Sequence, residues 1–271
     1  MHGASSTVKP IVLLTDFGIQ DPYVGILKGV ILSLHPKGIF LDLGHEIEPQ
    51  NVLQAGHVLE MSYPYFPKGS IFLCVVDPGV GTSRKILCAR TRDYFFIGPD
   101  NGLLAPALFR EKSVRIREVR NADYFLTKVP SATFQGRDVM APVAARLSRA
   151  PKPEELFKAL GPEIKNFRKL AVPAVLKTSR SRQGRILYFD RFGNAITNIR
   201  LSDAPGDFWQ KARFYAGGKP LGRLSRTYAS SSARLAVLWN SFNQLEIAAP
   251  NHSARERGKL KQGNPVRAEL P

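Results

Sequence analysis

Three short apolar runs, Ile11–Thr15, Ile71–Val76 and Tyr94–Ile97, each lead into an aspartate with a glycine close behind. They read Thr15-Asp16-Phe17-Gly18, Val76-Asp77-Pro78-Gly79-Val80-Gly81 and Gly98-Pro99-Asp100-Asn101-Gly102. Successive side chains of a strand point to opposite faces, so a strand that is apolar throughout must be covered on both. Helical patterns separate the runs. Asp21-Pro22 opens a helix to about Leu34, with Asp21 as N-cap and Pro22 at the first helical position. Asn51–Tyr63 carries Val52, Ala55, Val58 and Leu59 behind a cap at Asn51, and Val139–Leu147 makes a third helix. With Ile86–Thr91 as a further strand, this alternation predicts an α/β fold: an N-terminal α/β sheet domain over residues 8–150 with helices on both faces.

The pattern then changes. Residues 151–178 are rich in Pro and Lys and read as a linker. Beyond them Arg185–Phe189, Ala195–Asn198, Arg213–Tyr215, Leu235–Leu238, Leu245–Ile247 and Val266–Glu269 are short strand candidates with turns between them. They predict a smaller C-terminal all-β, barrel-like domain over residues 179–271. Two domains suit 271 residues, which exceed the usual single-domain length of roughly 100–150.

Of the formal net charge of +17, +13 lies from residue 151 onward, with 22 Lys and Arg against 9 Asp and Glu. Such a surplus suits either an anionic partner or a solvated surface. The basic residues, among them Arg180, Arg182, Arg185, Arg213 and Arg223, are scattered and come without an RNA-binding signature or zinc spacing. The solvated surface is therefore the preferred reading, and nucleic acid is disfavoured as a partner. Met1–Pro10 is polar, without the apolar core of a signal peptide, and no run approaches the ~18 apolar residues of a membrane span. A cytoplasmic location with no membrane partner is expected. Cys74 and Cys88, in apolar runs and without CxxC or metal spacing, read as buried small hydrophobes.

In an open α/β sheet, ligands bind beyond the carboxyl ends of the strands. Each aspartate alone can be a turn residue; three together at one edge favour a site. Asp100, inside Pro-Asp-Asn-Gly, reads as the structural one, and Asp16 and Asp77 as the functional pair. Carboxylates there suit a ribose diol, an ammonium or a water molecule and repel phosphate. With no GxGxxG and no Walker loop, a dinucleotide or nucleoside triphosphate is disfavoured. Arg84 follows Asp77 by seven residues across a glycine-containing turn. It is either a guanidinium folded back over the carboxylate, supplying donors to an anion or hydroxide, or a surface ion pair of little worth. In Thr133-Phe134-Gln135-Gly136-Arg137-Asp138, Gly136 permits close approach to the backbone, and Asp138 is a candidate cap for the helix that follows.

Seven stretches, LLTDFGIQDPYVGILKGVI, HEIEPQNV, VVDPGVGTSRK, GPDNGLL, TFQGRDVMAP, DRFGNAITNI and the weaker NSFNQLEIA, resemble in order and spacing the S-adenosylmethionine hydroxide adenosyltransferases, relatives of fluorinase and chlorinase. The likeness runs from Ile11 to about Ala254. It implies an N-terminal α/β domain, a C-terminal barrel-like domain and a homotrimer that binds substrate between one subunit's N-terminal domain and its neighbour's C-terminal domain. It further implies cleavage of S-adenosylmethionine (SAM) at ribose C5′, with water giving adenosine and methionine; SAM is then a substrate, and no cofactor or metal is called for. Position by position, Asp16 matches the residue that binds the ribose hydroxyls and Asp21 lies where the methionine end is held. Asp190 and Asn194 match positions contacting the methionine amine and the adenine. Ser241 and Phe242, with Glu246 as an addition, match the segment lining the methionine and adenine pockets; Phe134 and Gly136 join them as substrate-binding residues. Asp77 and Arg84 match two members of the Asp-Arg-His set that handles the water. The third is Gln135 here, where the hydrolases carry His in Thr-Phe-His-Gly, and Asn243-Gln244 stands where Gly-Tyr is common.

Displacement at C5′ of a sulfonium needs little acid catalysis, because the leaving group is a neutral thioether. The difficult partner is water, with a bulk pKa of ~15.7. Asp77 is expected to orient it or take its proton, Arg84 to stabilise hydroxide character, and Gln135 to help place it. The fluorinase has an aromatic residue in place of Asp77, so the carboxylate favours water over halide; a small residue at Gly136 is shared by chlorinase and hydrolases. The alternatives are a chlorinase-like halide adenosyltransferase, and a catalytically weak SAM- or adenosine-binding protein in which Gln135 marks the loss.

Overall fold

The computed structural model describes residues 8–228 and 234–271, so most of the polar N-terminal stretch lies outside the described residues. The chain divides into two compact units, residues 1–171 and 172–271.

The first unit is built on a six-stranded sheet. Its elements are β1 (Ile11–Thr15), α1 (Tyr23–Leu34), β2 (Phe40–Gly44), α2 (Val52–Ser62), β3 (Ile71–Val75), β4 (Ile86–Arg90), β5 (Phe95–Pro99), α3 (Ala105–Phe109), β6 (Arg115–Glu118), α4 (Ala141–Arg149) and α5 (Pro153–Ala159). The strand order is β2-β1-β3-β5-β4-β6; β2, β1, β3 and β5 run parallel, and β4 pairs antiparallel with both of its neighbours. The apolar runs serve two cores at once. Ile11 and Leu13 of β1 pack with Leu27 and Ile31 of α1 and Val143 of α4, while Val12 and Leu14 pack with Ala55 and Leu59 of α2 and Leu104 before α3. Layers of helix, sheet and helix are the arrangement that the uninterrupted hydrophobic strands require.

Phe157 of α5 and the following Leu160 are fully buried in the α1/α4 core, so residues 151–171 pack with this unit. The two edge strands interrupt the apolar pattern with charge. Phe40–Gly44 has Asp42 at its centre; Arg115–Glu118 carries Arg115, Arg117 and Glu118, and its outer edge is covered by residues 162–164, Glu118 N donating to Pro162 O (3.0 Å) and Ile164 N to Ile116 O (2.8 Å). The start of α1 differs from expectation. Pro22 rather than Asp21 occupies the cap position and no side chain caps the helix, whereas Asn51 caps α2 by accepting from the Gln54 amide (3.0 Å). Cys74 and Cys88 are buried and free, and burial pushes both thiols well above their ordinary pKa.

The second unit is an eight-stranded antiparallel sheet curled into a half-barrel. Its strands are β7 (Leu176–Lys177), β8 (Ser181–Phe189), β9 (Ala195–Arg200), β10 (Arg213–Ala216), β11 (Lys219–Pro220), β12 (Ala236–Trp239), β13 (Gln244–Ala248) and β14 (Pro265–Glu269), with two short helices, α6 (Gly206–Lys211) and α7 (Ala254–Gly258). The order is β11-β10-β14-β8-β9-β13-β12, with β7 beside β8. The curl comes from β8. Its first half pairs with β14 and its second half with β9, and Gly184 at the changeover sits where a Cβ would lie 2.2 Å from Asn198 Oδ1. Trp209 of α6 is buried in this unit's core and donates its indole N–H to Leu201 O (2.9 Å) and Ala204 O (3.0 Å). Among the described residues no helix is long and apolar enough to cross a membrane.

Candidate active site

β1, β3 and β5 are adjacent and parallel, so Asp16, Asp77 and Asp100 emerge at the same edge of the sheet. Asp100 is spent on structure: its carboxylate accepts from the Arg168 amide (2.7 Å), and the neighbouring Asn101 donates to Val76 O (2.9 Å), tying β5 to the end of β3. Asp16 and Asp77 open instead into a cavity of about 660 Å³, which Asp21, Phe134, Gln135 and Gly136 also line.

The loop after β3 returns on itself through successive turns. Val80 N donates to Asp77 O (3.2 Å), Thr82 N and Oγ1 both donate to Gly79 O (3.2 and 2.7 Å), and the chain is thereby reversed by Arg84. Its guanidinium grips Asp77 in a fork, Nε to Oδ1 and Oδ2 (3.1 and 2.9 Å) and Nη2 to Oδ2 (2.5 Å), with both side chains 5% exposed. A forked, nearly desolvated pair is geometrically fixed in a way that a surface pair is not. Nη2 also donates to Oε1 of Gln135, so one guanidinium ties the β3 loop to residue 135. Gly81 (φ 81°) makes this possible: a Cβ there would lie 2.6 Å from Ala132 O on the facing loop.

A π turn over Gly136–Met140 precedes α4. Gly136 packs on Val75, whose Cγ1 would lie 3.1 Å from a Cβ at residue 136, so the backbone forms part of the cavity floor. Asp138 does not cap this helix. Its buried carboxylate reaches back to the Ser131 amide (2.7 Å) and takes a fork from Arg137 (2.6 and 3.0 Å). The Arg137 guanidinium, and after it the Ser131 amide, hold the Asp138 carboxyl below the usual carboxylate range. Stability from these bonds is therefore present above the ordinary carboxyl pKa and is lost as pH falls through the lowered one.

Asp16 is held by the segment after β2. Its Oδ2 accepts from the Gln50 amide (2.8 Å), and Gln50 presents that N–H through a left-handed conformation (φ 65°). Behind it, buried His45 shares a hydrogen bond between Nδ1 and Thr15 Oγ1 (2.9 Å), while its carbonyl accepts from Gly18 N (2.8 Å). Three aromatic rings complete one wall. Phe17 lies 5.4 Å from Tyr23 and 5.8 Å from Phe134, and Tyr23 lies 5.3 Å from Phe134, the two contacts to Phe134 being edge-on. Sequence reasoning missed Phe17, Tyr23 and Gln50; the signal for Phe17 was its place directly after a strand-ending aspartate.

The remaining candidates belong to the second unit. Asp190 closes the β8–β9 turn on itself, Oδ1 accepting from Phe192 N (2.9 Å) and Asn194 N (2.8 Å) and Oδ2 from Asn194 Nδ2 (3.0 Å). Ser241 and Phe242 lie in the β12–β13 turn, where Asn240 Oδ1 accepts from Phe242 N (2.9 Å) and Gln244 N (3.1 Å). Since β9 and β13 pair antiparallel, these two turns stand at opposite ends of the paired strands, with Glu246 between them opposite Ile196. Glu246 is buried and accepts from Tyr228 Oη (2.9 Å); burial, and then the negative charge of Asp190, raise its pKa, while burial first and Glu246 second push the Tyr228 phenol up to about 12. Among the described residues no group of three or more His, Cys, Asp or Glu is placed to hold a metal.

A mixed α/β unit with a carboxylate-lined cavity at its strand ends, joined to an antiparallel half-barrel, defines a two-domain architecture whose cavity lies beyond a parallel sheet edge, the place where open α/β sheets take their ligands. Residues 11–157 match the SAM hydroxide adenosyltransferase N-terminal domain and residues 184–267 the C-terminal domain of the same family. The chain is 37% identical to an (R)-S-adenosyl-L-methionine hydrolase of Thermus thermophilus over 96% of its own length and 99% of the relative's. It is 36% identical to one of Methanocaldococcus jannaschii (88% and 87%) and 26% identical to a fluorinase of an Actinoplanes species (71% and 72%). The crystal structure of an uncharacterized conserved protein from Thermotoga maritima superposes with a TM-score of 0.86 at 34% identity, covering 95% of this chain and 99% of that one. The chain belongs to the SAM hydroxide adenosyltransferase family.

Proposed function

We infer that this protein is a hydrolase that cleaves SAM at ribose C5′ with water, giving adenosine and methionine. The reading is carried by the Asp77–Arg84–Gln135 cluster at the cavity in a chain that matches the hydrolases along both domains. Asp16, fixed by the Gln50 amide, is suited to the ribose diol, and the aromatic wall to the apolar faces of the substrate. Asp77 orients the water and accepts its proton, and Arg84 holds that carboxylate still. In-line attack then needs positioning above all. Asp21, Phe134 and Gly136 are assigned to the substrate on the same grounds, and Asp190, Asn194, Ser241, Phe242 and Glu246 by resemblance. A homotrimer sharing substrate between subunits and a cytoplasmic setting belong to the same proposal.

A halide in place of water would meet the Asp77 charge at a cost of ~4 kcal/mol at 4 Å and an effective dielectric near 20, offset in part by Arg84. Incubation with SAM in chloride buffer should yield adenosine and methionine; 5′-chloroadenosine as the main product would overturn the reading. Asp77→Asn should lower kcat by about 100-fold with KM within about threefold, the signature of a group acting on the nucleophile. An unchanged kcat would remove Asp77 from that role.

A further inference from the structure

The orientation of the Gln135 side chain is dictated by the chemistry of its partner. A guanidinium carries N–H donors and no acceptor, so the Gln135 atom bonded to Arg84 Nη2 must be the oxygen. The two ends of an amide are ordinarily hard to tell apart; here Arg84 distinguishes them. The Nε2 amino group is left with two N–H donors, has no hydrogen-bond partner among the described residues and is not sealed from solvent. With Oε1 engaged by Arg84, Gln135 is left with its Nε2 donors to offer the cavity that it lines.

A histidine at this position would be bound by the same constraint. A neutral imidazole that accepts from Arg84 through one nitrogen carries its proton on the other, and so also presents an N–H. Neutral histidine and glutamine are thus equivalent as donors here. They differ only on acidification, when an imidazolium has no lone pair for Arg84 and sets a second cation against it, while the amide is unchanged. We propose that Gln135 is a catalytic residue that donates an Nε2–H hydrogen bond to the oxygen of the attacking water, and that it keeps the cluster assembled at acidic pH where a histidine would disrupt it.

The proposal rests on the hydrolase reading and specifies how its nucleophile is held. A lone pair of the water oxygen forms the bond to C5′, and the C5′–S electron pair returns to sulfur, converting the sulfonium to the thioether of methionine. The released proton passes to the Asp77 carboxylate and on to solvent, while Gln135 gains and loses none. The other ionisable side chains facing this space are Asp16, Asp21, Tyr23, Asp77, Arg84 and Arg137, and none is a histidine.

The test is the pH dependence of kcat and KM for SAM between pH 5 and 9 in the wild type, Gln135→Glu and Gln135→His, with thermal melting as the check on folding. Gln135→Glu keeps the shape and the acceptor for Arg84 but has no N–H. At pH 8 its kcat should fall by at least about tenfold with KM within about threefold, as for one hydrogen bond made to the reacting atoms. Gln135→His should stay within about threefold of wild type at pH 8 and acquire an acid limb with a midpoint near ~6.5 that the wild type lacks. Full kcat in Gln135→Glu would confine Gln135 to holding Arg84 and overturn the proposal, as would the same acid limb in the wild type. If Gln135→Glu melts early, the limb of the histidine variant decides alone. A wild type that releases no adenosine removes the hydrolase reading and the proposal with it; adenosine release with an unimpaired Gln135→Glu removes the proposal only.

Discussion

His45 shows how a residue outside the cavity bears on it. Its ring is bonded to Thr15, the residue before Asp16, and its carbonyl holds Gly18, two residues after it. Truncation would leave the Thr15 hydroxyl short of a buried partner, at a cost of about 1–3 kcal/mol, and would loosen the loop that presents the carboxylate. In the hydrolase, His45→Ala should raise KM for SAM by about five- to tenfold while kcat stays within about twofold, since Asp16 in the role proposed for it grips substrate and transition state alike. A purely structural role would lower the melting temperature and leave KM where it was. None of this was visible in the HEIEPQNV stretch as a string of residues, because its meaning depends on β2 lying beside β1 and bringing His45 under Thr15.

Among the elements, the β3 loop and the loop before the π turn form one device that works only because Gly81 lets them touch. Gly81→Ala combines a left-handed φ with a contact of 2.6 Å to the Ala132 carbonyl, and neither can be relieved by a rotamer change. A loss of more than about 1 kcal/mol in stability is expected, together with a larger fall in kcat than in binding as Gln135 is drawn away from Arg84. Parallel measurements of the melting temperature and of adenosine release by Gly81→Ala would show both. The strands that carry the site were legible in the sequence, because continuous apolar runs ending in Asp and Gly have few other meanings. The edge strands β2 and β6 were not. Asp42 breaks the apolar pattern on the half-exposed edge strand β2, and Arg115, Arg117 and Glu118 break it on β6, whose outer edge is covered by residues 162–164. Asp21 looked like a helix cap and lines the cavity instead; Asp138 looked like one and anchors Ser131. In both, a local signal for Asp was read correctly as polar and wrongly as capping; the Asp138 carboxylate takes the donors that tertiary structure brings nearest.

On the scale of the molecule, the half-barrel was legible from its short strands, and all six strand candidates are present; its curl was not, because it depends on β8 changing partners part-way along. The polar site in the first unit sits over a core that is sealed. Cys74 and Cys88 lie on neighbouring layers of it with pKa values raised by burial. Native protein should therefore resist thiol reagents such as Ellman's reagent at pH 8 and release two thiols per chain only on denaturation. Labelling in the native state at the rate of a free thiol would mean that the first unit opens on the time scale of the assay.

The Arg84 fork has one more consequence, which concerns the order of assembly. Asp77 and Arg84 are seven residues apart, and their pairing closes a loop at little cost in chain entropy, whereas Gln135 joins the same guanidinium from 51 residues further along. During synthesis both members of the charged pair are made before the amide. The three-membered cluster is therefore complete only when the π turn docks, and the last part to arrive is the one drawn from the facing loop.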